Sequence, residues 1–232
     1  MKKNLITRRQ AVGGGIAAAA GIVLAKAGSA SADCGTCSTE KCKVPMPKNS
    51  DFYDAQGKFL VDNARQAYYE MFERFHYPNP KAQQELMWIQ DFALGDFVHA
   101  GMAGVFWFND KENNYFGHEI YLLPGQQIPE HAHVKTADAV AKMEAWHCRH
   151  GMIHCLGEGP ETKPMPVELP KSQEPFRTVG HATRVMPGEV NSLNRPGAYH
   201  FMIAGPEGAI VSEYATYHDG NALVFANPNV KL

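Results

Sequence analysis

The first 32 residues contain no aspartate or glutamate, although the whole chain carries 24 acidic residues. An acid-free stretch that sets Lys2, Lys3, Arg8 and Arg9 ahead of the Gly/Ala-rich run Ala11 to Ala25 reads as a targeting segment, and Ala30-Ser31-Ala32 supplies an A-x-A cleavage site. The apolar run, about 15 residues, is shorter than the ~20 that a bilayer core requires, which argues against a membrane anchor. Removing the five basic residues of this segment from the total of 22 leaves 17 against 24 acidic ones, a balance of −7. No basic run follows, so nucleic acid and anionic membranes are not expected partners. Internal repeats and low-complexity tracts are also missing after residue 32, which sets aside solenoids and fibrous folds.

Thr7-Arg8-Arg9-Gln10-Ala11-Val12 resembles the twin-arginine export signal, so a periplasmic or secreted protein is expected, with no stable membrane insertion after cleavage. A lipoprotein through Cys34 is the alternative, although Ala32-Asp33 makes a poor attachment box. Residues 33–50 are polar, with Cys34, Cys37 and Cys42, and read as a linker. In an oxidising compartment these cysteines suit a local disulfide or a partner contact. Cys148 and Cys155 are expected to flank a hairpin turn at His150-Gly151, where a cross-strand bridge or two buried thiols both fit.

Residues 51–95 read as a helical segment. Leu60, Ala64, Ala67, Tyr68, Met71, Phe72 and Phe75 recur at helical spacing up to Tyr77-Pro78, and Asn79-Pro80 opens a second helix through Glu85, Leu86 and Ile89. Residues 96–232 carry short β-rich runs such as Val105 to Phe108, Glu119 to Leu123, Met152 to Leu156 and Tyr199 to Ile203. Turn signals separate these runs, among them Pro124-Gly125, Pro187-Gly188 and Gly205-Pro206-Glu207-Gly208. The expected fold class is therefore mainly β, a small antiparallel barrel or sandwich.

His131 and His133 are two apart and share one face of a strand; Glu144 and His200 complete a set of three imidazoles and a carboxylate that suits Mn, Fe, Co, Ni or Zn. Pro124-Gly125 to Pro129-Glu130-His131-Ala132-His133, the later Glu144, and Pro187-Gly188 ahead of His200 resemble the two cupin motifs. Within that superfamily, the runs Glu144 to Gly151 and Tyr199 to Thr216 are similar to the D-lyxose isomerase family of sugar ketol-isomerases. The resemblance implies a cupin double-stranded β-helix and a divalent metal, manganese by preference, on His131, His133, Glu144 and His200. It also implies a small-molecule sugar as partner and Glu213 as the catalytic base or its partner, and homodimer assembly stays open. Lys135 is the candidate for steadying enediolate charge, with Lys142 competing for that role. The chain departs from the family pattern after Thr216, where Asp219 is followed by Gly220-Asn221-Ala222 in place of further acids, and at Phe201-Met202, where a Trp-Phe pair is common. His118, His218 and the remaining histidines read as surface or core groups, with His154 and Arg149 as secondary candidates. A non-catalytic sugar-binding cupin and a dioxygenase or decarboxylase are the competing functions.

Exported protein is expected to begin at Asp33, and replacing Arg8 and Arg9 with lysines is expected to block export. N-terminal sequencing of the periplasmic or secreted fraction checks both, and a chain found there intact at Met1 refutes the targeting reading.

Overall fold

Strand β3 (Tyr115–Leu122) shows how the layers form, because it is buried on both faces. Ile120 and Leu122 point into a core between two sheets, while Tyr121 and Leu123 point outward beneath a helix. Such two-sided burial removes the polar alternation of a surface strand. The covering helix is α1 (Val61–Arg74), whose buried Ala64, Tyr68, Met71 and Phe72 form one stripe at helical spacing. Phe72 meets Tyr121 edge to face with ring centroids 4.7 Å apart.

The computed structural model describes residues 47–232. The targeting segment and Cys34, Cys37 and Cys42 lie outside the described residues. In chain order the elements are α1, α2 (Lys81–Leu86), β1 (Trp88–Gln90), β2 (Met102–Asp110), β3, β4 (His131–His133), β5 (Glu144–Gly157), β6 (His181–Val185), β7 (Val190–Ser192), β8 (His200–Ala215) and β9 (Leu223–Phe225). Helix α2 ends at Leu86 and Ile89 belongs to β1, so the segment expected to be helical already contributes a sheet strand. Pro80, not Asn79, is the N-cap of α2.

All strand pairs are antiparallel, and β5 with β8 forms the long ribbon of the fold. The second half of β8 pairs with β3 and the first half of β5, giving a sheet continued by β2 and β1 on one side and β7 on the other. Its first half pairs with β4 and the second half of β5, giving a sheet continued by β9 and β6. The two sheets share one ribbon that bends between them, which is the double-stranded β-helix architecture.

Two expected turns are absent from this ribbon. Residues His150-Gly151 do not reverse the chain, and Gly205-Pro206-Glu207-Gly208 does not separate two strands. On β5 the register passes from Gly151↔Ala209 to Ile153↔Ala204, so the tetrapeptide bulges out opposite Met152 while β8 keeps the same partner. Bulges bend a strand and increase its twist, and here they turn the ribbon from one sheet into the other. Glycine is needed at this bend. Gly151 has φ +70° and Gly208 φ +87°, and a Cβ at Gly208 would run into Met71 and the Leu122 carbonyl. Cys148 and Cys155 are free, buried thiols on the continuous β5.

A buried amide ties α1 to the barrel. Gln126 Oε1 accepts from Tyr68 Oη at 2.7 Å and from Leu123 N at 2.9 Å, and its Nε2 donates to the Phe97 carbonyl at 2.6 Å. Changing Gln126 to Leu leaves three buried polar groups without that partner, each worth about 1–3 kcal/mol. Denaturant unfolding is expected to show a loss of about 3 kcal/mol or more, against ~1 kcal/mol for Tyr68→Phe.

Candidate metal centre and active site

Both His131 and His133 lie on β4 with buried side chains, as the alternation of a strand dictates. His131 stands directly opposite His200 at the start of β8. The ligand-capable atoms of His131, His133 and His200 all lie within 4.8 Å of one another. Glu144 comes from the opposite end of the bent ribbon, yet its Oε2 lies 3.0 Å from His200 Nε2 and its Oε1 3.3 Å from His133 Nε2. The bend therefore brings together residues that the β5–β8 register places far apart.

The tautomers favour a cation. His131 Nδ1 donates to the Pro129 carbonyl at 2.8 Å and His200 Nδ1 to the Ala198 carbonyl at 2.9 Å. A backbone carbonyl on one ring nitrogen leaves the other as a lone-pair donor, the usual support for a metal-bound imidazole. The Nε2 atoms of His200 and His133 face the Glu144 carboxylate, and a positive charge between them resolves the repulsion between lone pairs and carboxylate. Burial pushes His131 down to about 3 and His133 well below its ordinary value, so both stay neutral and ready to ligate. Burial works against a charged His200 as well, but Glu144 outweighs it and raises that histidine. The donor set fits a divalent ion with three nitrogens and one carboxylate.

Beside this cluster lies a second buried charge system. Lys142 Nζ reaches Glu144 Oε1 at 2.8 Å and Glu213 Oε1 at 2.5 Å, and His118 Nδ1 lies 3.0 Å from Glu213 Oε2. Burial alone would raise both carboxyls; the Lys142 ammonium outweighs it and holds each below the usual carboxylate range, with His200 and His131 adding for Glu144 and His118 for Glu213. Burial would likewise lower Lys142, but the two carboxylates keep it charged. His118 is pushed down by burial against the pull of Glu213, so it serves as a neutral donor. Its ring packs over Gly104, where a Cβ would collide with His118 Nε2 and the ring of Trp88.

Lys135 is not part of this system. β4 ends at His133, Lys135 is exposed, and the periodicity that would have carried it to the site stops two residues earlier. Lys142 takes that place instead, two residues before Glu144 on the approach to β5. His118 was assigned no role by the sequence; its signal was its position opposite Glu213 in the β3–β8 register, which only the pairing reveals. His218 also borders the cavity, stacked on Phe116 at 5.2 Å and edge-on to His133 at 5.3 Å. His154 pairs opposite Arg184 and Ile203 on the far half of β5, and Arg149 is exposed, so neither borders this cavity.

No family model matches the chain. It is 31% identical over 174 residues to the D-lyxose/D-mannose isomerase of Thermosediminibacter oceani, an alignment covering 75% of this chain and 94% of the relative. Its identity to the D-lyxose ketol-isomerase of Cohnella laeviribosi is 32% over 168 residues, covering 72% and 91%. Among solved structures, the L-ribose isomerase of Acinetobacter sp. DL28 superposes with TM-score 0.57 at 13% identity, covering 79% of this chain and 96% of that one. The L-ribose isomerase of Geodermatophilus obscurus gives 0.55 at 13%, covering 77% and 89%. At such identities the structural likeness speaks for the shared fold.

Replacing His131 with Ala is expected to remove most of the bound divalent metal, because a methyl group cannot take the place of a ligand. Elemental analysis of the purified variant checks this. Added manganese is expected to raise the Tm of the unsubstituted protein, by mass action on the folded state, and to leave the variant nearly unmoved.

Proposed function

This chain belongs to the D-lyxose isomerase family of sugar isomerases, and we propose that it interconverts a pentose aldose such as D-lyxose with its ketose by moving a proton between adjacent carbons. The observation that carries the reading is the pair of linked clusters: a three-imidazole, one-carboxylate donor set, and a second carboxylate, Glu213, fixed beside it by Lys142 and His118. A binding protein needs no such base. A dioxygenase or decarboxylase is not favoured by the relatives.

Isomerisation takes the proton from C2 of the open-chain aldose and returns it to C1, while a hydroxyl proton passes from O2 to O1. Nothing is oxidised overall. His131, His133, His200 and Glu144 would hold a divalent cation, manganese in this reading, which would supply Lewis acidity at the reacting end of the sugar. Glu213 takes the proton and delivers it to the neighbouring carbon. With Lys142 on one oxygen and His118 on the other, its carboxylate has one fixed orientation and little rotational freedom. Lys142 also serves the reacting oxygens. As negative charge gathers on them, the ammonium gains a new partner and Glu213 loses the neighbour that keeps it weakly basic. Aromatic side chains line much of the cavity and lower the local dielectric, which strengthens each of these interactions. Export by the twin-arginine route, with the metal acquired before translocation, completes the reading and is supported by Thr7 to Val12.

Glu213→Gln keeps the shape and removes the proton acceptor. Loss of a positioned base removes about 10²–10⁴-fold in rate. With manganese present, the variant is expected to retain metal while exchange of the sugar's carbon-bound hydrogen with heavy water falls by that factor, read by NMR. Absence of exchange in the unsubstituted protein across an aldose and ketose panel would support a binding protein instead, and full exchange in the variant would move the base to another group.

A further inference from the structure

The cavity in front of the two clusters has a volume of about 370 Å³. Outside the metal cluster and the Lys142, Glu213 and His118 system, three side-chain nitrogens border it, neither sealed nor bonded among the described residues: Trp146 Nε1, Gln90 Nε2 and His218 Nε2. Each is a donor. The indole N–H can only donate. Gln90 Oε1 already accepts from Phe92 N–H at 3.2 Å, which leaves its amide NH₂ for the cavity. His218 Nδ1 is sealed from solvent without a partner. Buried N–H groups almost always find an acceptor, so the sealed nitrogen is assigned as the bare one and Nε2 carries the proton.

His218 is held from several directions. Its N–H donates to Asn109 Oδ1 and its carbonyl accepts from Asn109 Nδ2, each at 2.9 Å, a clamp from the end of β2. The next residue, Asp219, accepts from Thr136 Oγ1 at 2.7 Å and from Asn221 N–H at 3.0 Å. The ring is stacked on Phe116 and has Phe106 at 5.4 Å. Its edge-on contact with His133 places it beside the candidate metal centre, although it stands outside the three-histidine donor set. Gln90, by contrast, is steered by one hydrogen bond, and Trp146 is a core residue whose ring packs on His200. A donor fixed in this way loses little freedom when a ligand arrives, and it rewards an oxygen in one place only. A pentose brings three hydroxyls beyond its two reacting carbons, and each hydroxyl oxygen can accept.

We propose that His218 is a specificity-determining residue whose Nε2–H donates to a hydroxyl oxygen of the sugar beyond the two reacting carbons. The ligand class rests on the isomerase reading, and the donor rests on the geometry of His218. The test sets a substitution against a missing hydroxyl on the manganese-loaded full-length protein. His218→Phe keeps the aromatic stack and removes the N–H, while His218→Gln returns a donor at similar reach. D-lyxose is compared with its 3-deoxy, 4-deoxy and 5-deoxy analogues, with affinity by calorimetry and heavy-water exchange by NMR. His218→Phe is expected to lower affinity and kcat/KM for D-lyxose about tenfold, and His218→Gln to recover about threefold or more of that loss. For one deoxy sugar the Phe variant and the unsubstituted protein are expected to agree within about twofold, because the bond is already gone; for the other two the loss persists. Bound manganese is expected to be unchanged in both variants. An equal loss for all four sugars, a loss of manganese, or no loss at all overturns the inference. The expected pattern in affinity with no exchange in any sugar keeps the inference and overturns the isomerase reading. Exchange that is indifferent to His218 does the reverse. Failure of all four sugars to bind the unsubstituted protein overturns the inference.

Discussion

Strand β5 pairs with β8 along nearly its whole length, and this ribbon bends at Gly151 and Gly208 until its two ends face each other across the barrel. Every feature of the site depends on that bend. His200 and Glu144 sit at opposite ends of the register and still approach to 3.0 Å. A flat ribbon of the same pairing would hold them many residues apart, since strands advance about 3.3 Å per residue. The Gly205 to Gly208 bulge opposite Met152 lets one strand cross from sheet to sheet without losing its partner. The remaining strands extend the two halves, and α1 seals the outer face over Tyr121, Leu123 and Ile210.

Charge balance is the second constraint. One ammonium, Lys142, faces two buried carboxylates, which leaves the cluster one negative charge in excess unless His200 is protonated or a cation is bound. An uncompensated buried charge is among the costlier features a fold can carry, and breaking such a pair by removing one partner costs about 3–5 kcal/mol. The neighbouring neutral imidazoles of His131 and His133 cannot supply that charge, because burial depresses their basicity. A divalent ion held by this donor set would thereby be linked to the stability of the barrel through the same carboxylate. The Lys142 bridge also couples that carboxylate to Glu213, so a change in charge at the donor set is felt there.

Much of this was legible in the residues. The His-x-His pair on one strand face, the two proline–glycine turns ahead of the motifs, and the stripe of Ala64, Tyr68, Met71 and Phe72 each follow from local periodicity, which one segment of chain expresses by itself. The run from Ala204 to Glu213 carried the family resemblance for the same reason. Lys135 was misplaced because strand alternation was extended past His133, where the chain leaves the sheet. His118 was passed over because its partner, Glu213, lies 95 residues away. The glycine–proline run at 205–208 looked like a turn because glycine and proline mark turns and bulges alike; the partner strand decides between them.

The sequence by itself determined the donor types, the β-rich barrel with its helical cover, and the alternation that puts two histidines on one face, because these need only neighbours a few residues away. The tertiary structure decided which lysine is buried, which histidine holds Glu213, and how apolar the cavity is. Those depend on the register between β3, β5 and β8 and on the bend of the ribbon, and both are set by packing among segments distant along the chain.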